Sequence, residues 1–124
     1  MPSLRGSTIA FAGGRLAFGV GLIAAPGRTA SGWLGSEARR APTQVAVRGL
    51  GARDIALSAG VAAGALQRGA LRPWLAACVA CDLSDIAATV AAGDSLSSRA
   101  RWGTIALAGA AAVAGLALLA RAEG

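Results

Sequence analysis

Four apolar runs divide the chain, and their lengths set the first expectation. The clearest lies near the C-terminus, where Trp102 to Ala120 gives nineteen residues without a charge, bounded by Arg99 and Arg101 before and Arg121 after. At 1.5 Å per residue such a helix reaches about 28 Å, roughly the hydrocarbon thickness of a bilayer. A helix on a soluble protein needs a polar stripe, and from Ile105 to Ala120 no polar side chain occurs on any face. Three further runs, over 7–25, 45–66 and 73–92, are of similar length but each carries charge. The pattern predicts an all-α integral membrane four-helix bundle, one transmembrane domain over 1–124 with spans at about 7–25, 45–66, 73–92 and 102–120.

Proline and glycine punctuate the runs. Pro26-Gly27 ends the first, Pro42 precedes the second, Pro73 opens the third and Gly93-Asp94-Ser95 closes it. The connection from Gln67 to Arg72 is short, so the second and third helices are expected to be antiparallel neighbours. The connection from Gly27 to Gln44 is longer, and its centre, Ser31 to Gly35, reads as an interfacial turn. Trp33, Trp74 and Trp102 all fall at expected membrane boundaries, as aromatic-belt residues do. Small residues recur every four positions (Gly13, Ala17, Gly21, Ala25; Ala52, Ala56, Gly60, Gly64; Ala76, Ala80, Ser84, Ala88, Ala92), which points to close helix packing in lipid.

Composition sharpens this. Hydrophobic residues make up 55% and charged residues 15%, against about 25% charged in an ordinary soluble domain. The chain has no His, Lys, Tyr or Asn, so histidine bases, histidine metal sites and Schiff-base lysines are excluded by inventory. No nucleophile lies beside a base, and the expectation is a protein that is not an enzyme, with no catalytic residue, no metal and no cofactor. All twelve basic residues are Arg, giving a net charge of +6. Most of them lie between or at the ends of the apolar runs, where they would anchor to headgroups, so the expected partner is the lipid bilayer and not nucleic acid. A homo-oligomer or a membrane partner subunit completes the expected partners, in the plasma membrane as a multi-pass protein. The first run is not a good signal peptide because Arg15 interrupts it. Gly19-Val-Gly21-Leu-Ile-Ala24 fits a dinucleotide-loop pattern but follows no strand.

The chemistry worth attention is the charge inside the runs: Arg15, Arg53, Asp54, Asp82 and Asp85. Each costs about 2.5–3.5 kcal/mol at the centre of an inserted helix, so they must pair. Counting residues from each span centre puts Arg15 level with Asp82 and Arg53 level with Asp85. Asp54 faces another neighbour, near Ser58. Two cations then meet three carboxylates, so either Arg48 reaches in or one carboxylate holds a proton, and Asp82, nearest the midplane, is the expected holder. Cys78 and Cys81 share a helical face with Asp82, Asp85 and Thr89, but thiols at mid-membrane read as packing residues before they read as redox or metal groups.

Gly14-Arg15, Gly19, Pro26, Trp33-Leu34-Gly35, the run Arg48 to Leu57 with its Gly51-Ala52-Arg53-Asp54 core, Arg72-Pro73-Trp74 and Asp82-x-x-Asp85 together resemble a family of small four-helix membrane proteins common in actinobacteria, filed as a domain of unknown function. The resemblance covers roughly residues 10 to 115 and implies membrane location and four helices, with no known activity. Ser58 stands near where that pattern has Gly, and neither Cys belongs to it. Two functional readings follow: a structural, accessory or oligomeric membrane component held by a buried Arg/Asp network, or a small proton-coupled transporter with an intramembrane aspartate.

Overall fold

The computed structural model describes residues 2–67 and 69–122, and within them the chain is all-helical. Four long helices, α1 (Leu4–Ala24), α3 (Ala41–Leu66), α4 (Leu71–Ala92) and α5 (Ser98–Arg121), lie alongside one another, and a short helix, α2 (Pro26–Leu34), crosses one end. Of these, α1, α4 and α5 are long and apolar enough to cross a membrane. The 26-residue α3 is longer still, but it carries Arg48, Arg53 and Asp54 and is not among them.

Local chemistry sets the ends. Ser3 and Ser97 cap α1 and α5, their hydroxyls accepting from Gly6 N and Ala100 N. Proline stands in the first turn of α2 and of α3, where its missing N–H has no intrahelical partner to lose. The Gly27–Gln44 connection is therefore more ordered than its sequence implies. Pro26 starts a helix instead of only ending one, and a 3₁₀ turn, Gly35–Arg39, follows it. Gly35 adopts φ +61°, a left-handed value that favours glycine, and so stops α2 beside Trp33.

The long helices run α1 against α3, α3 against α4 and α4 against α5, whereas α1 and α5 meet only sparsely. Arg121 Nη2 donates to Pro2 O (3.3 Å) and Arg72 Nη1 to Leu119 O and Ala122 O (2.8 and 2.6 Å), so both chain ends and the α3–α4 turn lie at one end of the bundle. Two apolar clusters fill it. Ala12, Leu57, Val61, Leu75, Cys78 and Leu118 pack near the end that holds the termini, and Leu22, Ala30, Ala38 and Val47 pack beneath α2. Large apolar side chains such as Val20, Val90, Val113 and Leu116 face outward, as suits a lipid surface.

Glycine decides how close the helices come, though not through all the expected ladders. Gly19 and Gly51 face each other across α1 and α3: a Cβ on Gly51 would stand 2.6 Å from Gly19 O, and one on Gly19 2.8 Å from Gly51 O. Gly60 and Gly64 receive Trp74 and Leu71 of α4. By contrast Gly13 meets nothing, and Ala52, Ala56, Ala76, Ala80, Ser84 and Ala88 are exposed, so the α4 ladder and half of the others face outward. The apparent dinucleotide pattern at Gly19 is thus a helix-crossing point. Gly51→Ala should lower stability by about 1–3 kcal/mol through forced separation of α1 and α3, while Gly13→Ala should be neutral or stabilising by about 1 kcal/mol from helix propensity; thermal melting of the two purified variants checks both signs.

A charged crevice between the first and last helices

Midway between the two apolar clusters, three of the long helices, α1, α3 and α4, bring five charged side chains together. Arg15 of α1 donates Nη1–H and Nη2–H to the two carboxylate oxygens of Asp82 on α4, both at 2.9 Å. Its Nε–H donates to Asp54 Oδ1 on α3 at 3.1 Å, and Nη2 lies at the same distance from that oxygen. One guanidinium therefore holds two carboxylates, and all three side chains are 7% exposed or less. Beside them Arg53 of α3 donates Nη1–H and Nη2–H to Asp85 of α4 at 3.1 and 2.7 Å. That pair is different in kind, because both side chains are about a third exposed: 31% and 30%.

The pairs are those that counting along the helices brings level, and the third carboxylate joins by sharing Arg15. Arg48 does not enter; its Nε–H donates to Ile23 O at 3.2 Å. Both oxygens of Asp82 accept from Arg15. Ser58 and Thr89 bond backbone carbonyls one turn earlier, Asp54 O and Asp85 O, and so leave the carboxylates to the arginines. Buried Nε of Arg53 has no acceptor among the described residues.

The open side of this network is a crevice of about 280 Å³. Arg53, Asp54, Asp82 and Asp85 form its back wall on α3 and α4. Phe11 and Phe18, one turn either side of Arg15, form the α1 wall, and Thr104, Leu107, Ala108 and Ala111 the α5 wall. Trp33 roofs it from α2: its ring centroid is 5.7 Å from that of Phe18, and its Cβ lies where a side chain on Gly103 would stand. Trp33 is accordingly half-buried in the protein, unlike Trp102, which is 62% exposed. A second hollow shares Trp33, Leu50, Asp85 and Thr104 with the first and continues past Thr43 and Thr89, toward the end of the bundle that α2 covers.

The aromatic walls are what a reading of the charges alone passes over, although Phe11 and Phe18 stand four before and three after Arg15, the spacing that shares a helix face. The cysteines stay outside the site's chemistry. Cys78 is buried among Leu57, Val61, Leu75 and Leu118, and Cys81 packs against it.

The burial order predicts a stability order. Arg15→Ala strands two buried carboxylates and should cost about 3–5 kcal/mol. Arg53→Ala strands one partly exposed carboxylate and should cost less, and Arg40→Ala, which loses only an exposed 3.6 Å contact with Glu37, about 0–1 kcal/mol. Expression level and melting of the three variants in one detergent test the ranking. Comparison with protein-family models, with curated proteins and with solved structures finds no match to this chain.

Proposed function

We propose that the chain is a multi-pass plasma-membrane protein whose four long helices all cross the bilayer, and that it binds a small solute in the crevice as a transport-class protein, not as a scaffold alone. Three apolar helices support membrane location. The fourth crossing is supported by the way α3 pairs its charges: Arg53 and Asp54 each meet an opposite charge from another helix, which removes the obstacle that they pose to insertion.

One observation carries the functional part. Arg53 and Asp85 are about a third exposed and line a crevice large enough for a small organic molecule. An ion pair kept only to fix helix register gains nothing from such exposure, whereas a binding site needs charged groups that a solute can reach. A structural or oligomeric role stays compatible with the inner trio, Arg15, Asp54 and Asp82, whose side chains are 7% exposed or less.

Two measurements test this in a background with Cys78→Ala and Cys81→Ala. In native membranes, Ala111→Cys on the crevice wall should react with a water-soluble maleimide far faster than Val113→Cys, whose parent residue is 68% exposed on the outer apolar surface; an unreactive Ala111→Cys means that the crevice is closed or filled with lipid and removes the solute-binding reading. Ser3→Cys and Arg121→Cys should label from the same side of intact cells, and labelling from opposite sides excludes four crossings.

A further inference from the structure

The crevice has a charge that no described residue balances. Asp54, Asp82 and Asp85 present six carboxylate oxygens; five accept an N–H from Arg15 or Arg53, and Asp54 Oδ2 accepts none from any described residue. Asp54 is more than nine-tenths buried, yet it lines the crevice. The charged groups that line the crevice with it are Arg15 from α1, Arg53 from its own helix α3, and Asp82 and Asp85 from α4; α5 supplies only Thr104 and apolar side chains. Three carboxylates against two guanidinium groups leave a formal charge of −1 in a largely apolar cleft, which is stable only when one positive charge joins it.

That charge is either a proton on Asp54 Oδ2 or a cation from outside, and the walls select the cation. A hard metal ion needs several oxygen ligands, and here one oxygen is free. An anion is repelled. Phe11, Phe18 and Trp33 instead line the crevice, and aromatic rings attract a cation and offer apolar area to its body. Resting on the solute-binding reading above, we propose that the crevice exchanges one proton on Asp54 for one small organic monocation with an apolar body. On binding, the Asp54 Oδ2–H bond breaks, the proton leaves to water, and the carboxylate pairs with the incoming cation, so that the charge of the site is unchanged.

The test uses the full-length protein in nanodiscs with three probes of similar size: benzyltrimethylammonium, its uncharged isostere neopentylbenzene, and benzenesulfonate. Calorimetry should show the cation bound about tenfold or more tightly than the isostere, as a cation over desolvated ring faces requires, with benzenesulfonate not bound. A pH dye should record about one proton released per cation. Infrared difference spectra of the wild type should contain a protonated-carboxyl band that the cation removes and that Asp54→Asn lacks. Asp54→Asn should also lose the preference for the cation over the isostere, and Ala111→Trp, which fills the crevice and leaves every charge in place, should lose both ligands. Equal binding of cation and isostere without proton release overturns the exchange and leaves a neutral-solute site standing. Tighter binding of benzenesulfonate, or no protonated-carboxyl band at any pH between about 5 and 9, also overturns it. No binding of any probe while Ala111→Cys reacts with maleimide refutes the cation and not the crevice; no binding with Ala111→Cys unreactive refutes both.

Discussion

Everything in the centre of this bundle depends on one guanidinium. Arg15 carries a planar fork of five N–H donors, and three of its bonds run to carboxylates on two different helices. The bidentate bond to Asp82 fixes both the height and the rotation of α4 relative to α1, and the bond from Nε fixes α3 against both. A lysine, with a single charged nitrogen, holds one carboxylate well and a second poorly. Apolar packing in lipid provides little force to draw helices together, so a buried triad joined by three N–H···O bonds specifies which helix faces meet.

The rest of the packing is arranged to allow that contact. Gly19 and Gly51 let α1 and α3 approach at backbone distance one turn beyond Arg15 and one turn before Asp54. Bulk at either position would widen the gap that the Arg15 side chain has to span. Gly60 and Gly64 do the same for α3 and α4 nearer the termini, where Trp74 and Leu71 fill the space.

Much of this is readable in the sequence, because charge inside an apolar run admits few arrangements. Helix length, depth counting and the rule that charges in lipid must be paired bring Arg15 level with Asp82 and Arg53 level with Asp85. The attachment of Asp54 is less legible: depth counting compares heights and says nothing of lateral distance, and only the Gly19–Gly51 approach brings α3 close enough for Arg15 to serve two partners. The four-residue ladders mislead for a related reason. In a chain with this much Ala and Gly, small residues occupy outward faces as well as inward ones, so the ladder through Ala76, Ala80, Ser84 and Ala88 marks composition and not contact. The helical α2 is hidden because Pro26 and Gly27 signal an ending, and a proline that ends one helix is also well placed to begin the next.

The place of α2 has a mechanical consequence. The crevice lies along the seam between α1 and α5, the first and last long helices, so no connecting loop crosses that seam and no loop length limits how far it opens. What crosses it at one end is α2: Trp33 rests against Gly103, and Arg99 Nε donates to Gly32 O at 2.9 Å. At the other end Ala12 of α1 and Leu118 of α5 share an apolar cluster, and Arg121 donates to Pro2 O. The two edges of the slot are thus joined at both ends and not along its middle: by the nine residues of α2 and the Trp33 side chain at one end, and by apolar packing at the other.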